Sequence, residues 1–320
     1  DSAAAGGNAD HQDYRRQSGL IKLAGRNELG HHWQLSAVKQ SYDTQTAIQS
    51  VLGSGRFRST TRLEGDDRHD SGFLSAGYRF AAPAGLIDEG RVRVYYADNE
   101  IRQDTLDERA AASVPVSIAR EFNYEQRSRG IELNLWHDFE AGNWGHTFGM
   151  GAEWNDSRTE ELRDGLSTNL DDGSVTSDIL GESFPLRDFP VTSTRELGAY
   201  VSDEITRGPF TLVAALRFDR NRLDPQADAI YTEDNPTTQL VSLADSDVSP
   251  QLGAVWRLRD DVDLYLQYAH GFRAPPFEDA NIGLDIPLFN IRALPNPDLR
   301  SEVSDGWEGG LRWLTANTQF

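Results

Sequence analysis

The side chains best suited to chemistry in this sequence are seven histidines, scattered carboxylates and a proline-bracketed loop near the C-terminal end. Asp66, Asp67, Arg68, His69 and Asp70 set carboxylates beside an imidazole, donor types that can ligate a divalent cation. A solvated acidic segment is the plainer reading of such a run. His31 and His32 sit at one expected short turn, and His137 and His146 flank another. His11 and His69 fall in segments read as irregular. There is no GxSxG, P-loop, HExxH or GxGxxG pattern, so no enzyme constellation is expected. The chain has no cysteine, which excludes disulfides, thiolate metal sites and cysteine nucleophiles.

The proline-bracketed loop stands out for its framing. Tyr268-Ala269-His270-Gly271-Phe272-Arg273-Ala274-Pro275-Pro276-Phe277 runs off a strand, and Pro295-Asn296-Pro297-Asp298-Leu299-Arg300-Ser301-Glu302 leads into the next. Pro275 and Pro276 fix φ and remove two amide donors, which ends ladder pairing, and Pro297 does the same on re-entry. Counting alternate residues from Val262 through Leu264, Leu266 and Tyr268 puts His270 on the apolar row. An outward, interfacial imidazole is expected there.

The elements that must position this loop read as β-strands. Phe210, Leu212, Ala214, Leu216 and Phe218 alternate with Thr211, Val213, Ala215, Arg217 and Asp219. The same period recurs along the chain and predicts roughly eleven strands, counting weaker ones near 14–25 and 31–43. Short connections near Asn27, Ala84, Gly142, Gly208 and Asp260 alternate with long ones near 44–69, 103–119, 159–192, 224–248 and 276–297. Every long connection therefore falls at one end. Short turns at one end and long loops at the other are the plan of an outer-membrane barrel, with long loops outside and short turns in the periplasm. Trp33, Phe80, Trp136, Trp144, Trp154, Trp256 and Trp313 fit interfacial girdles.

Composition agrees with this plan. No apolar run approaches a transmembrane helix, whereas barrel strands need an apolar residue only at alternate positions and tolerate a mean hydropathy of −0.57. With 31 basic against 51 acidic residues and a formal charge of −20, no net basic surface is available for nucleic acid. A soluble propeller should show an internal repeat of roughly 40–50 residues, and none is found. The fold class expected is all-β: a transmembrane antiparallel barrel, residues 1–320 forming one partial barrel domain. An open sheet edge in lipid leaves backbone groups unpaired at several kcal/mol each, so these residues are expected to be the interior portion of a larger barrel.

The boxes Phe272-Arg273-Ala274-Pro275 and Asn296-Pro297-Asp298-Leu299 resemble the FRAP and NPNL boxes of TonB-dependent haem and haemoglobin receptors, with Asp298 in place of the second Asn. Asp43-Thr44-Gln45 with the following 50–57 segment is similar to a loop of that group. The resemblance implies a 22-strand barrel in a Gram-negative outer membrane, occluded by a plug that meets TonB. It also implies active import of haem, extracted from a haem protein at the outer loops, with no intrinsic cofactor. Such receptors use loop histidines as axial iron donors, but residues 277–294 hold neither histidine nor tyrosine. Axial donors are therefore expected from the plug or another loop, not from His270. Ile286, Leu288 and Phe289 could cover an apolar macrocycle, and Arg292 could pair with a carboxylate; packing within the loop is the competing reading. Import of a ferric siderophore or another scarce nutrient is the alternative, and a porin or adhesin lies further off.

Overall fold

The computed structural model describes residues 10–82, 85–110, 114–286 and 290–314. Eleven long strands pair with their sequence neighbours in one antiparallel meander. They are β1 (His11–Arg26), β2 (His32–Ala47), β3 (Thr60–Ala81), β4 (Glu89–Arg109), β5 (Val116–Ala141), β6 (Trp144–Asn169), β10 (Val191–Arg207), β11 (Phe210–Gln226), β12 (Leu243–Arg259), β13 (Val262–Arg273) and β16 (Glu302–Trp313). The β6–β10 connection carries the short strands β7 (Val175–Thr176), β8 (Asp178–Ile179) and β9 (Glu182–Ser183). Helix α1 (Ala229–Asp234) lies between β11 and β12; helix α2 (Phe277–Asn281) and the hairpin of β14 (Leu284–Ile286) and β15 (Ile291–Ala293) lie between β13 and β16. No described helix is long and apolar enough to cross a membrane.

Register turns the period-2 pattern of each strand into one surface. Directly paired residues share a face, and Trp33, Tyr78, Val92, Leu133, Ala152, Ala199, Phe218 and Val248 form an unbroken cross-strand row. Nearer the short turns, Phe210, Trp256, Leu264 and Leu311 continue the same face. Phe210 stacks on Trp256 at 5.7 Å, and Tyr268 lies 4.9 Å from Trp307. The opposite face is polar, as the row Arg93, Glu132, Glu153, Gly198 and Asp219 shows. One apolar and one polar face, joined by tight turns, is how a barrel divides lipid from lumen. The turns at 142–143 and 208–209 open on Gly142 and Gly208, which take positive φ (67° and 54°) as two-residue hairpins require.

The long connections are shorter than the sequence suggested. Strands extend into four of them, leaving 48–59, 110–115, 170–190 and 227–242 outside the long strands; the connection after β13, expected at 276–297, instead runs over 274–301. The acidic segment 66–70 is thus not irregular: it lies inside β3, where His69 faces Asn99, and His11 opens β1. The cause is that hydrophobic alternation stops where the sheet leaves lipid, while the backbone ladder continues with polar residues on both faces. A strand needs about 9–11 residues to cross a bilayer; β3 to β6 have 22, 21, 26 and 26. Along strands tilted as in a barrel, the excess raises the sheet roughly 25–40 Å above the apolar belt. Cross-strand ion pairs hold its outer surface, among them Arg129–Asp156 at 2.9 Å and Arg102–Glu121 at 3.0 Å.

Candidate functional site

The two boxes that the sequence sets apart frame a loop whose flanking strands pair with each other. Phe272 and Arg273 end β13, and they pair with Val303 and Glu302 at the start of β16. The loop therefore leaves and rejoins the sheet at adjacent points. On the return side the Asn296 side chain accepts the Asp298 amide at 3.1 Å, and Leu299 N–H donates to the Asn296 carbonyl at 3.4 Å, a turn that delivers the chain into β16.

Residues 272–276 line a concavity of about 790 Å³ whose other walls include Tyr95, Glu153, Glu196, Arg217 and Asn221. These side chains are cross-linked on the polar face. Arg217 pairs with Glu153 and, at 2.7 Å, with Asp219; Asn155 donates to Glu196 at 2.9 Å; Tyr95 donates to Asn155 at 3.2 Å. The second box, 296–299, does not line this concavity. Arg292 lies in β15 opposite Asp285, and Ile286 pairs with Ile291 in the same hairpin. Leu288 and Phe289 lie outside the described residues.

His270 keeps parity with Leu266 and Tyr268, opposite Asp305. Its Nδ1 lies 2.9 Å from Asp305 and its Nε2 3.1 Å from Asp247. The β12–β13 ladder ends one position below, at Gln251–Ala269, and the imidazole bridges the strands on either side. With a carboxylate within 3.1 Å of each ring nitrogen, both nitrogens are already engaged.

Sequence reasoning missed how three outer connections dock on one another. The Asn281 side chain is fully buried, accepts from Val241 N–H at 2.8 Å and donates to the Val241 carbonyl at 2.9 Å. It thus acts as a peptide group would in a ladder. Tyr231 of α1, capped by Asp228, donates to the Asn281 carbonyl at 3.0 Å. Gly283 N–H donates to the Asp188 carbonyl at 2.7 Å, and Arg187 pairs with Asp228 at 2.7 Å. Asp188 N–H in turn donates to Glu161 of β6 at 3.0 Å. Beneath lies a small core of Ile118, Ile179, Phe184 and Leu186. Burial, reinforced by the charge of Asp188, pushes the Glu161 carboxyl up to about 8. Burial and Asp188 likewise raise Asp234 to about 6. Only the helix-capping Asp228, three residues before Tyr231, carried a local signal; the rest are contacts between segments far apart in sequence.

Residues 7–320 match the family described as "TonB dependent receptor-like, beta-barrel". Over 106 residues, 32% of this chain, the sequence is 32% identical to a protein named "Hemoglobin-haptoglobin utilization protein B" from Neisseria meningitidis serogroup C, covering 13% of that protein. Among solved structures, the hemophore receptor HasR of Serratia marcescens, in complex with its hemophore HasA and heme, is similar over 100% of this chain and 45% of its own, with a TM-score of 0.66 at 19% identity. The ferripyoverdine receptor of Pseudomonas aeruginosa is similar over 96% and 46%, with a TM-score of 0.56 at 13% identity. The chain thus spans less than half the length of these relatives.

Proposed function

Because the chain belongs to the TonB-dependent receptor β-barrel family, we propose that it supplies about half the barrel of an outer-membrane receptor that imports haem or haem-protein iron in a Gram-negative bacterium. The plug that would fill the lumen and meet TonB lies outside these 320 residues. The observation that carries the haem reading is the pair of boxes framing one loop: the first ends β13 and opens onto a polar concavity inside the sheet, and the second lies just before β16, the strand that pairs with β13. The regional identity with a protein named for hemoglobin-haptoglobin utilization supports it.

In this reading the tall outer sheet and its docked connections meet the haem protein, the concavity passes the cargo inward, and the apolar belt sits in lipid. Nothing in that task calls for a catalytic residue. The full receptor should bind haem with a characteristic absorption band, and its host should grow on haemoglobin as sole iron source; a receptor that binds no haem overturns the reading.

A ferric siderophore or another scarce nutrient is the second reading. The feature favouring it is the loop between the boxes, which offers neither an imidazole nor a phenol to an iron centre. Growth on a siderophore but not on haemoglobin would decide for it.

A further inference from the structure

On the polar face, high above the apolar belt, Arg120 of β5 is half-buried and has no hydrogen-bond or ion-pair partner among the described residues. That is unusual in a chain with 51 carboxylates and a charge of −20. Its stem crosses the neighbouring strand at Gly165, where a Cβ would come within 3.3 Å of Arg120 Cγ and 2.8 Å of Ile179 Cδ1. The missing side chain at 165 is what lets the arginine lie there, beneath the folded 170–190 connection.

The carboxylate diagonal to it is already taken. Asp107 is fully buried and accepts from Arg109 Nε at 2.9 Å, Arg109 Nη2 at 2.6 Å and Thr60 Oγ1 at 3.0 Å. Arg163, diagonal to Arg120 on β6, is spent on Asp188 at 2.9 Å and Glu182 at 3.0 Å. Arg56 lies against the ring of Phe57. Burial holds the Arg120 guanidinium below its ordinary pKa; the charge of Asp107 works against that shift, and those of Arg109, Arg163 and Arg56 add to it. A partly desolvated guanidinium whose neighbouring carboxylate, Asp107, is already bonded to Arg109 and Thr60 is costly unless another anion joins it, and its planar fork matches a carboxylate in two-point contact.

We propose that Arg120 is a binding residue for a carboxylate of the imported iron compound, held on the inner surface of the extracellular sheet before the cargo descends. The assignment rests on the reading of this protein as an importer of an iron compound, and it narrows the cargo to carboxylate-bearing compounds. Haem fits through its propionates, and a ferric hydroxycarboxylate complex fits equally.

The test uses the full receptor with three probes: ferric protoporphyrin IX, its dimethyl ester and ferric citrate. Arg120→Gln should weaken binding of the diacid porphyrin at least about tenfold and leave the ester unchanged, with Arg120→Lys intermediate. The Gln variant should unfold at the same temperature as the wild type or higher, because an unpaired desolvated cation has been removed. Equal losses for diacid and ester, undiminished diacid binding, or a destabilised Gln variant would each overturn the site. If the wild type binds neither porphyrin, the haem reading fails and ferric citrate decides: a tenfold loss in Arg120→Gln keeps the carboxylate site, and no binding or no loss ends it.

Discussion

The main-chain amide of Asp188 donates to the Glu161 carboxyl at 3.0 Å, joining the 170–190 connection to the top of β6. Burial pushes this carboxyl up to about 8, against an ordinary 4.5. A folded-state value above the unfolded one means that the folded cluster prefers the protonated acid. Its stabilising contribution is therefore complete below about pH 4.5 and lost as pH rises through 8. Amide exchange in residues 170–190 and 274–301, corrected for the intrinsic rate, should be about tenfold faster at pH 9 than at pH 6, corresponding to ~1.4 kcal/mol. Glu161→Gln should flatten this dependence. Exchange that is equally pH-dependent in the Gln variant would place the titrating group elsewhere.

A second expectation concerns Asn281, whose amide bonds both backbone groups of Val241. Asn281→Ala leaves a buried N–H and C=O without partners, at about 1–3 kcal/mol each. The barrel belt should melt as before while the outer connections become protease-sensitive at 227–242. An intact digestion pattern would show that the docking does not depend on this side chain.

What was legible in the sequence was whatever lipid imposes. Leu264, Leu266 and Tyr268 alternate because one face meets acyl chains, and the two-residue turns at Gly142 and Gly208 follow from the tight reversals. Strand number and direction could be read from these. Above the belt both faces meet polar surroundings, so Asp66 to Asp70 carry no period although they lie inside β3. Hydrogen bonding continues there without a hydrophobic signature. The boxes at 272–275 and 296–299 were legible as loop anchors because proline acts locally. Arg120, Glu161 and Asn281 were not, because their roles depend on which residues the register sets beside them.

The faces can be tested on β13. Leu266 pairs with Ala254 and Gly309 on the apolar face. Gln267, one position on, donates to Glu308 at 2.9 Å on the other. In the full barrel, Leu266→Arg should cost about 2–4 kcal/mol, as arginine does near the bilayer midplane. Gln267→Arg should be tolerated, since an arginine there can pair with the Glu308 carboxylate. Equal losses of folded barrel from the two changes would contradict the assignment of faces.

The last expectation is that His270 is not an iron donor. Its place beside the first box invites that role, since neutral imidazole is the usual protein ligand of haem iron. The geometry opposes it on two counts. The ring shares the row of Leu266 and Tyr268, so its Cβ leaves the strand on the apolar face, and both nitrogens are held by carboxylates, Asp305 at 2.9 Å and Asp247 at 3.1 Å. An imidazole engaged at both nitrogens must give up one of those contacts before it can ligate a metal. Freeing one would break its contact with an aspartate. The role that remains is a tie between β12 and β16, across the point where the β12–β13 ladder stops. His270→Ala in the full receptor should leave the position and height of the bound-haem absorption band unchanged while lowering barrel stability only slightly, as loss of a solvent-screened pair does. A band lost at full barrel stability would make His270 a ligand after all.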